Sequence, residues 1–477
     1  MAGLTVTVTE TQAPEAVDTI VTGAWVITLN SAREIYRDGA IAIRDGVIVE
    51  VGKRAAVLAA YRPATLIDEP DSIVIPGLTN GHRHLLCCAK GAMPEGGSTL
   101  ESLRRFIYPS FAALTEEDMH VLARHAAAEM IRFGTTLFEE PGCNHLPAVL
   151  EALDESGIRA RIGPWTWDQA GSAGRADLPD WLAMDADTAL TRLSDGIDTV
   201  RKFGRPRLRD AVTIEGVGTC SDALTKGAAD LARDRQSLFV LHKSTSENEV
   251  ALELAQFGER PVAHMATIGA LHDRVLLNHM TSLDDADVRA VATSGARVSQ
   301  NPTSALKLAK GTTQTGKWKA LADANVPMAL GTDAENVSNH QDICRAMQLA
   351  ALLPRDMLRD PNAITAEQAL EMATRGGATA LWWQDAVGSL EPGKQADIVI
   401  FDTDNFDLRP LHNPVANLVY GSTGHSVDTV LIAGETVLRH AQHTSLDASS
   451  LRAKVEQINR RVLTEIGISP LPKWPVI

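Results

Sequence analysis

The sequence predicts an α/β protein: a (β/α)8 TIM barrel with a small composite β-sandwich built from both ends of the chain. Three observations lead to this prediction. Short apolar strands alternate with helix-period segments through the middle of the chain, both ends carry strand patterns, and 477 residues exceed one barrel of about 250 residues. We therefore assign residues 1–73 and 385–477 to the composite sandwich with a C-terminal helix, and residues 74–384 to the barrel.

Each element follows from a local pattern. Near the N-terminus, "DGAIAIRDGVIVEVG" alternates and turns at Asp45-Gly46, which is a two-residue signal for a β-hairpin. Eight barrel strands are then predicted, at "IVIPGL", "GTTLFEE", "IRARIGPW", "AVTIEGVG", "SLFVLH", "RVLLNH", "ARVSQN" and "VPMALGTD". Helix-period segments such as "EEDMHVLARHAAAEMIRFG" separate them. Strand patterns return in "VGSLEPGKQADIVIFD" and in "VDTVLIAGETVLR", which turns at Ala433-Gly434, and a helix over 447–466 ends the chain.

Composition and charge exclude several classes of protein. A net charge of −15 disfavours binding to nucleic acid or to an anionic membrane surface, and no apolar run approaches the roughly 18 residues of a membrane span. The first residues lack the basic start and apolar core of a signal peptide. The five cysteines show no framework spacing and predict reduced thiols in the cytoplasm. We expect a small-molecule substrate and a symmetric homo-oligomer, which enzymes of this fold commonly form.

Histidines stand at the ends of three predicted strands. His82 and His84 follow the first strand, and residues two apart in an extended segment point to the same face. His242 and His279 end the fifth and sixth strands, and Asp333 ends the eighth. With about 30 residues for each βα unit, the intervals between these positions fit four, one and two units, which places all five at the C-terminal mouth of the barrel. Imidazoles with one carboxylate suit a divalent cation, so we predict a metal site for zinc, with iron, cobalt or manganese as alternatives.

These motifs resemble the amidohydrolase superfamily, in the branch that includes cytosine deaminase, methylthioadenosine deaminase and the s-triazine chlorohydrolases. The matching segments are "PGLTNGHRH", "GTT", the "LH" and "NH" strand ends, "NPTSALKLAKG", "GTDAENVSNHQD" and "GSLEPGKQADIVIFD". The resemblance implies that His82, His84, His242 and Asp333 hold one divalent metal, and that Asp333 also takes the proton of the attacking water. It implies that His279 either completes the metal ligands or hydrogen-bonds this water.

One position departs from the pattern of that branch. Its deaminases and triazine hydrolases usually carry a glutamate three residues beyond the strand-five histidine, where it protonates a ring nitrogen while water attacks the adjacent carbon. This chain has Thr245 there, in "HKSTSE". Hydrolysis of an open carbonyl does not need a residue that protonates a ring nitrogen. A metal polarises the C=O group, and a general acid protonates the leaving amine. Glu215 and Lys243 are the other predicted catalytic residues, although Glu215 could instead be a buried carboxylate that Lys243 satisfies.

The chain looks most like the phenylurea and thiocarbamate herbicide hydrolases within this superfamily. "GHRHLLCCAKGAMPEG", "FIYPSF", the lysine after the strand-five histidine and "SQNPTSALKLAKG" carry this narrower resemblance. It implies a compact, partly apolar, N-substituted substrate. The residues predicted to line its pocket are Phe106, Tyr108, Trp165, Trp167 and Cys87. Each aromatic could equally be a core residue, and free cysteines are usually small buried hydrophobes. Lys307 and Lys310, after strand seven, could close a substrate loop, although a charged loop at this place is ordinarily solvated.

The sequence therefore predicts a metal-dependent amidohydrolase that cleaves a C–N or thiocarbamate bond at the carbonyl of an N-substituted urea, carbamate, thiocarbamate or amide, and releases an amine. The alternative is a deaminase or hydrolytic dehalogenase of a triazine, pyrimidine or purine ring, which keeps the same ligands but needs Glu215 or Glu247 as a replacement acid. A third interpretation, a non-catalytic scaffold on the same fold, is disfavoured because such proteins typically lose ligands that this chain keeps.

Overall fold

A computed structural model describes residues 13–86, 89–93, 99–169, 184–216, 218–470, 472 and 474–476. The described residues form seventeen strands. In chain order these are β1 Glu15–Ile27, β2 Ile35–Arg44, β3 Val47–Lys53, β4 Tyr61–Pro76, β5 Leu78–Asn80, β6 Thr135–Glu139, β7 Arg159–Ile162, β8 Trp165–Thr166, β9 Leu208–Gly216, β10 Leu238–Lys243, β11 Val275–His279, β12 Arg297–Gln300, β13 Met328–Leu330, β14 Ile398–Asp402, β15 Val427–Ile432, β16 Glu435–Arg439 and β17 Gln442–His443.

Helices connect the strands and cover the barrel. They are α1 Arg54–Ala60, α2 Thr99–Ser102, α3 Tyr108–Ala113, α4 Glu116–Arg132, α5 Leu146–Ser156, α6 Ala186–Phe203, α7 Asp222–Asp234, α8 Glu247–Phe257, α9 Pro261–Thr267, α10 Asp285–Ser294, α11 Pro302–Lys307, α12 Thr312–Thr315, α13 Trp318–Asp323, α14 Glu335–Ser338, α15 Ile343–Leu358, α16 Ala366–Ala373, α17 Arg375–Ala380, α18 Pro414–Tyr420 and α19 Ala448–Glu465. A π-helical turn, Leu103–Ile107, joins α2 to α3, and a 3-10 turn, Gly424–Ser426, precedes β15.

The predicted barrel is confirmed. Eight strands lie side by side in parallel, in the order β5, β6, β7, β9, β10, β11, β12 and β13, with the short β8 paired to β9. The last strand meets the first where the backbone N–H of Gly81 donates to the carbonyl of Leu330 at 2.7 Å. The first barrel strand is shorter than predicted, because the apolar run Ile73–Pro76 belongs to β4 of the other sheet. The carboxyl ends of all eight strands therefore face one mouth.

The β-structured part built from both ends of the chain is also confirmed. Its strands form one hydrogen-bonded sheet in the order β17, β16, β15, β14, β4, β1, β2 and β3. The two predicted hairpin turns approach each other through Ala396, whose N–H donates to Gly46 and whose carbonyl accepts from Gly434, at 2.9 and 3.0 Å. The sheet thereby closes around buried side chains that include Ile41 and Ile398.

Local sequence signals set the ends of the major helices. Thr115 caps α4 in a reciprocal capping box with Asp118, and Asp284 does the same for α10 with Asp287. The C-terminal helix α19 lies against α4 and α3, and the guanidinium of Arg461 donates to Asp118 and to the carbonyl of Ala113. These contacts fasten the predicted terminal helix to the barrel.

A buried ion pair connects the barrel to the terminal sheet. Arg159 of β7 donates to both carboxylate oxygens of Asp397, at 2.7 and 2.9 Å, and the same carboxylate accepts from the N–H of Ala433 at 2.8 Å. The predicted domain boundaries at 73/74 and 384/385 stay predictions, and β4 runs across the first of them. Among the described helices, none is long and apolar enough to cross a bilayer. The predicted oligomer and cytoplasmic location stay predictions.

Candidate metal centre

Four histidines and one aspartate converge at the mouth of the barrel. His82 and His84 follow β5, His242 lies in β10, His279 ends β11, and Asp333 follows β13. The barrel closure brings the first and last of these segments together, because the N–H of Asp333 donates to the carbonyl of His82 at 2.9 Å. The structure thus places all five predicted metal-binding residues in one cluster.

The side chains of the cluster lie at the distances that a shared cation requires. The Nε2 atoms of His84 and His242 are 3.1 Å apart, and Nε2 of His82 lies 3.6 Å from Oδ1 of Asp333. Nε2 of His279 lies 3.9 Å from Oδ2 of the same carboxylate. The ring of His82 stands edge-on to the other three imidazoles, with ring centroids 4.9 to 5.0 Å apart. Potential ligand atoms therefore lie within 4.8 Å of one another in two groups that share His82: His82 with His242 and His279, and His82 with His84 and Asp333.

The backbone holds two of these residues in an uncommon conformation. The φ angle is 78° at His279 and 62° at Asp333, in the left-handed region that non-glycine residues rarely adopt. Such conformations persist where the surrounding structure enforces them, and they concentrate at functional sites. They turn both side chains inward from the strand ends.

Neighbouring groups orient the imidazoles. Nδ1 of His242 lies 2.8 Å from the carbonyl oxygen of Glu215, so the ring donates there and leaves Nε2 as an electron-pair donor. The side-chain amide of Asn301 lies 3.2 Å from Nδ1 of His279. Both ring nitrogens of the fully buried His82 have no hydrogen-bond partner among the described residues, although Glu139 approaches Nδ1 at 3.7 Å.

Burial keeps the cluster ready for a cation. Burial lowers the pKa of His84 to about 3, with His242 adding to the effect, and burial also lowers the pKa of His82 and of His279. Burial alone would raise the pKa of Asp333, but the charges of His279, His84 and Lys310 outweigh it and leave this pKa below its usual range. Neutral imidazoles, an ionised carboxylate and an unpartnered buried ring fit a divalent metal.

His84, His242, His279 and Asp333 of the cluster line one cavity. Most of its wall is apolar. The described lining residues are His84, Met93, Ser102, Leu103, Ile107, Trp165, Glu215, His242, Thr245, His279, Leu308, Lys310, Asp333, Ala334 and Val337. A flat, mostly apolar molecule with polar atoms at one end suits such a wall.

Of the predicted substrate-binding residues, the structure brings Trp165 to this cavity. Trp167 and Tyr108 are buried behind it, with ring centroids 5.1 and 6.1 Å from that of Trp165. Phe106 packs in a separate cluster with Ala89 and Ala92. All three are buried and lie outside the described lining of this cavity, and their substrate-binding role stays a prediction. Cys87 lies outside the described residues.

The predicted catalytic residues Glu215 and Lys243 take different places. Glu215 lines the cavity, its Oε2 lies 3.5 Å from Nδ1 of His242, and burial raises its pKa against the opposing effect of His242. Lys243 points the other way and pairs with Glu253 at 2.6 Å, because successive strand residues face opposite sides. Lys243 therefore does not reach the cavity and does not satisfy Glu215. Glu247 is exposed at the start of α8.

Two features of the cavity were not predicted. Of the two alternatives for the lysines after strand seven, Lys310 departs from the solvated one, because it is only 5% exposed and lines the cavity, whereas Lys307 is exposed. Thr245 holds the carboxylate of Glu249, to which its N–H and hydroxyl donate at 2.6 and 2.8 Å. Glu249 lies four residues after Thr245, at the start of α8, whose capping residue is Ser246. This spacing was the signal in the sequence for the contact between Thr245 and Glu249. The burial of Lys310 had no comparable signal.

Comparisons with known proteins bear on this arrangement. The model of a family described as "Amidohydrolase family" matches residues 73–437. A 5-methylthioadenosine/S-adenosylhomocysteine deaminase of Nitratidesulfovibrio vulgaris is 31% identical over 455 residues, which cover 94% of this chain and 99% of the relative. An adenosine deaminase of Xanthomonas campestris with bound zinc is 31% identical, with a TM-score of 0.87 over 94% of this chain and 100% of its own. The atrazine chlorohydrolase of Arthrobacter aurescens, complexed with zinc, is 22% identical with a TM-score of 0.81, covers 92% and 100% of the two chains, and shares the fold.

Proposed function

Because the chain belongs to the amidohydrolase family, a family of metal-dependent hydrolases acting on C–N bonds, we propose that it is a deaminase of an aminated heteroaromatic ring. The substrate class proposed is an adenine-type ring, since both relatives at 31% identity bear names of adenosine-type deaminases. This corresponds to the alternative of the sequence analysis. The narrower resemblance to phenylurea and thiocarbamate herbicide hydrolases gains no support from these relatives.

The observation that carries the proposal is the shape and chemistry of the cavity. The polar side chains of the cluster line the same cavity as apolar walls that include Leu103, Ile107, Leu308, Val337 and Trp165. A planar ring fits between such walls with its amino-bearing carbon towards the cluster.

The proposed chemistry follows from the positions of the residues. A divalent metal held by His82, His84, His242 and Asp333 would lower the pKa of water towards 7 and so supply a nucleophile. Asp333 accepts the first proton of this water and passes it to the departing amino group. In the balanced reaction, the water oxygen becomes the ring carbonyl, one water proton leaves with ammonia, and the other ends on the ring nitrogen.

His279 has a separate proposed role. The amide of Asn301 donates to its Nδ1, so the proton of this neutral imidazole sits on Nε2, which faces Asp333 at 3.9 Å. A protonated Nε2 cannot bind a metal and can donate to the attacking water. Of the two roles left open by the sequence, this contact favours the hydrogen bond to water. For the metal itself we propose zinc, which the Xanthomonas relative binds, with iron, cobalt or manganese as alternatives.

Hydrolysis of an open carbonyl, in a urea, carbamate, thiocarbamate or amide, is the second candidate. One observation favours it: Thr245 occupies the position where the branch usually has its ring-protonating glutamate, and its hydroxyl is already bonded to Glu249. An open carbonyl needs no donor at that position, because the metal polarises its oxygen directly. The two candidates share their metal ligands and differ in the product, ammonia in one case and a substituted amine in the other.

Metal content and product release distinguish these candidates. Protein purified without added metal would be assayed for ammonia release from adenosine, 5'-deoxyadenosine, 5-methylthioadenosine and an aminotriazine, and for amine release from a phenylurea and a thiocarbamate. We expect about one divalent metal per chain and ammonia from an amino ring, with both lost in His242→Asn. Loss of the metal's contribution, several kcal/mol of transition-state stabilisation, corresponds to a rate loss of about 100-fold or more. The control is His412→Asn, a change at an exposed histidine.

The opposite outcomes are equally definite. Amine release from the urea or thiocarbamate without ammonia from any ring would move the second candidate into first place. Metal-free protein that no divalent cation activates would remove both and leave the scaffold interpretation.

A further inference from the structure

Among the residues that the structure describes, the buried Lys310 has no hydrogen-bond or ion-pair partner. It follows α11, and its backbone N–H donates to the carbonyl of Ala305 at 2.9 Å, which directs the side chain into the cavity instead of into solvent. Its ammonium makes no hydrogen bond or ion pair with any described residue. The negative charges that act on it through space are those of Asp333, Glu249 and Glu215. A buried charge that lacks a partner costs stability, and such groups are retained where they bind a ligand.

We propose that Lys310 donates a hydrogen bond to the ring nitrogen beside the carbon that water attacks. Its ammonium thereby stabilises the negative charge that develops on this nitrogen. In this role it replaces the glutamate that is missing at Thr245. The inference rests on the proposed deaminase function and assigns to it a further catalytic residue.

The chemistry of ring hydrolysis requires such a donor. When the C–O bond forms at the ring carbon, the electron pair of the adjacent C=N bond moves onto the nitrogen. A preorganised donor at that nitrogen stabilises the transition state more than the ground state. In the product, this nitrogen holds the second proton of the water, so the ammonium ends the cycle with its own three protons.

The other polar side chains of the cavity are less suited to this role. The hydroxyl of Thr245 is donated to Glu249. Glu215 lies beside His242, on the strand-four side of the cluster. Lys310 is the lining residue that brings a positive charge, and it comes from the strand-seven side, next to His279 and Asp333.

The test compares two ligands that differ only at the proposed contact. Adenosine has the ring nitrogen next to its amino-bearing carbon, and 1-deazaadenosine has a C–H group in its place. We expect Lys310→Met to weaken adenosine binding by about 10-fold to 100-fold, the range for a hydrogen bond to a charged group, and to leave 1-deazaadenosine binding unchanged. The kcat/KM for adenosine should fall at least as much, because the charge grows in the transition state. Lys310→Arg should restore part of the loss, since it keeps a cationic donor with a different geometry.

Lys319→Met is the matched control, since it removes a lysine from a partly exposed i,i+4 pair with Asp323 near the same segment. It should leave both affinities unchanged. Metal content should stay at about one ion per chain in every variant, and Lys310→Met should unfold at an unchanged or higher temperature because it removes an unpaired buried charge.

Each failure has a distinct meaning. Equal losses for the two ligands would show that Lys310 shapes the cavity and does not contact the nitrogen, and would overturn the assignment. Undiminished deamination by Lys310→Met would also overturn the assignment. In that case, Glu215→Gln should weaken the binding of adenosine and leave that of 1-deazaadenosine unchanged. A wild-type enzyme that deaminates no amino ring would overturn the proposed function, and this assignment with it.

Discussion

His82, His84 and His279 are held neutral by burial, and this has a consequence for stability. Their ring nitrogens point at one another and at Asp333, and burial is the largest influence on the pKa of His82, His84 and His279. An imidazole whose folded pKa lies below its unfolded value of about 6.5 takes up protons more readily in the unfolded chain. The metal-free protein should therefore be destabilised by mild acid.

His84 provides a direct test of this effect. Its pKa is lowered to about 3, so between pH 6.5 and pH 5 the unfolded chain binds a proton that the folded chain does not. The contribution of His84 to the free energy of unfolding is therefore present above pH 6.5 and decreases as the pH drops. At pH 5 this contribution is about 2 kcal/mol smaller. Urea unfolding of the metal-free wild type and of His84→Asn at pH 7.5 and pH 5.0 measures it. The wild type should lose about 2 kcal/mol more than the variant, and parallel losses would contradict the assignment.

Single residues also show where prediction from sequence succeeds and where it stops. His242, His279 and Asp333 could be found because each ends an apolar strand, and strand ends of a barrel share one mouth. The burial of Lys310 could not be predicted, because the cavity that it lines is built from segments far apart in sequence, such as those of Leu103 and Glu215. Lys243 was misplaced for a local reason: it follows a ligand on the same strand, and adjacent strand residues face opposite sides.

At the scale of elements, turn chemistry predicted the two hairpins of the terminal sheet but not their contact. Asp45-Gly46 and Ala433-Gly434 each supply the positive φ angles of a tight turn. Their meeting through Ala396 is a long-range contact that neither local pattern contains. The register of β4 was hidden in the same way, since the run through Pro76 pairs with β14 and not with the barrel.

The contact between these hairpins predicts a steric requirement at Gly46. A Cβ atom there would lie 2.4 Å from the carbonyl oxygen of Ala433, at a φ angle of +74°. Gly393, in the same part of the molecule, has a φ angle of +89° and nothing within 4 Å of a Cβ. Gly393→Ala should cost only the conformational penalty of about 1–2 kcal/mol. Gly46→Ala should cost about 1–3 kcal/mol more because of the overlap, measured as the free energy of unfolding in urea. Equal costs would mean that the hairpins separate without penalty.

At the scale of the whole molecule, the barrel and the terminal sheet are joined by a charge pair away from water. The side chains of Arg159 and Asp397 are 0% and 1% exposed, and Trp383 covers the guanidinium at 5.5 Å. Asp397 also accepts from Ala433 beside the hairpin contact, and its carbonyl accepts from Gly77 at the start of the barrel. Asp397 thus contacts the segment before β5, which leads to the metal cluster, as well as Arg159 of the barrel and Ala433 of the terminal sheet.

Removing this carboxylate should destabilise the whole chain. In Asp397→Ala the guanidinium of Arg159 stays buried without its counter-charge. This change should lower the free energy of unfolding by about 3–5 kcal/mol. Asp385→Ala is the matched control: it breaks the 3.0 Å pair of Arg209 with Asp385, whose side chain is 64% exposed, and should cost less than about 1 kcal/mol. If the pair holds the two parts together, Asp397→Ala should also split urea unfolding into two transitions, one for each part. A single transition at the wild-type midpoint would show that apolar packing alone joins the barrel to the sheet.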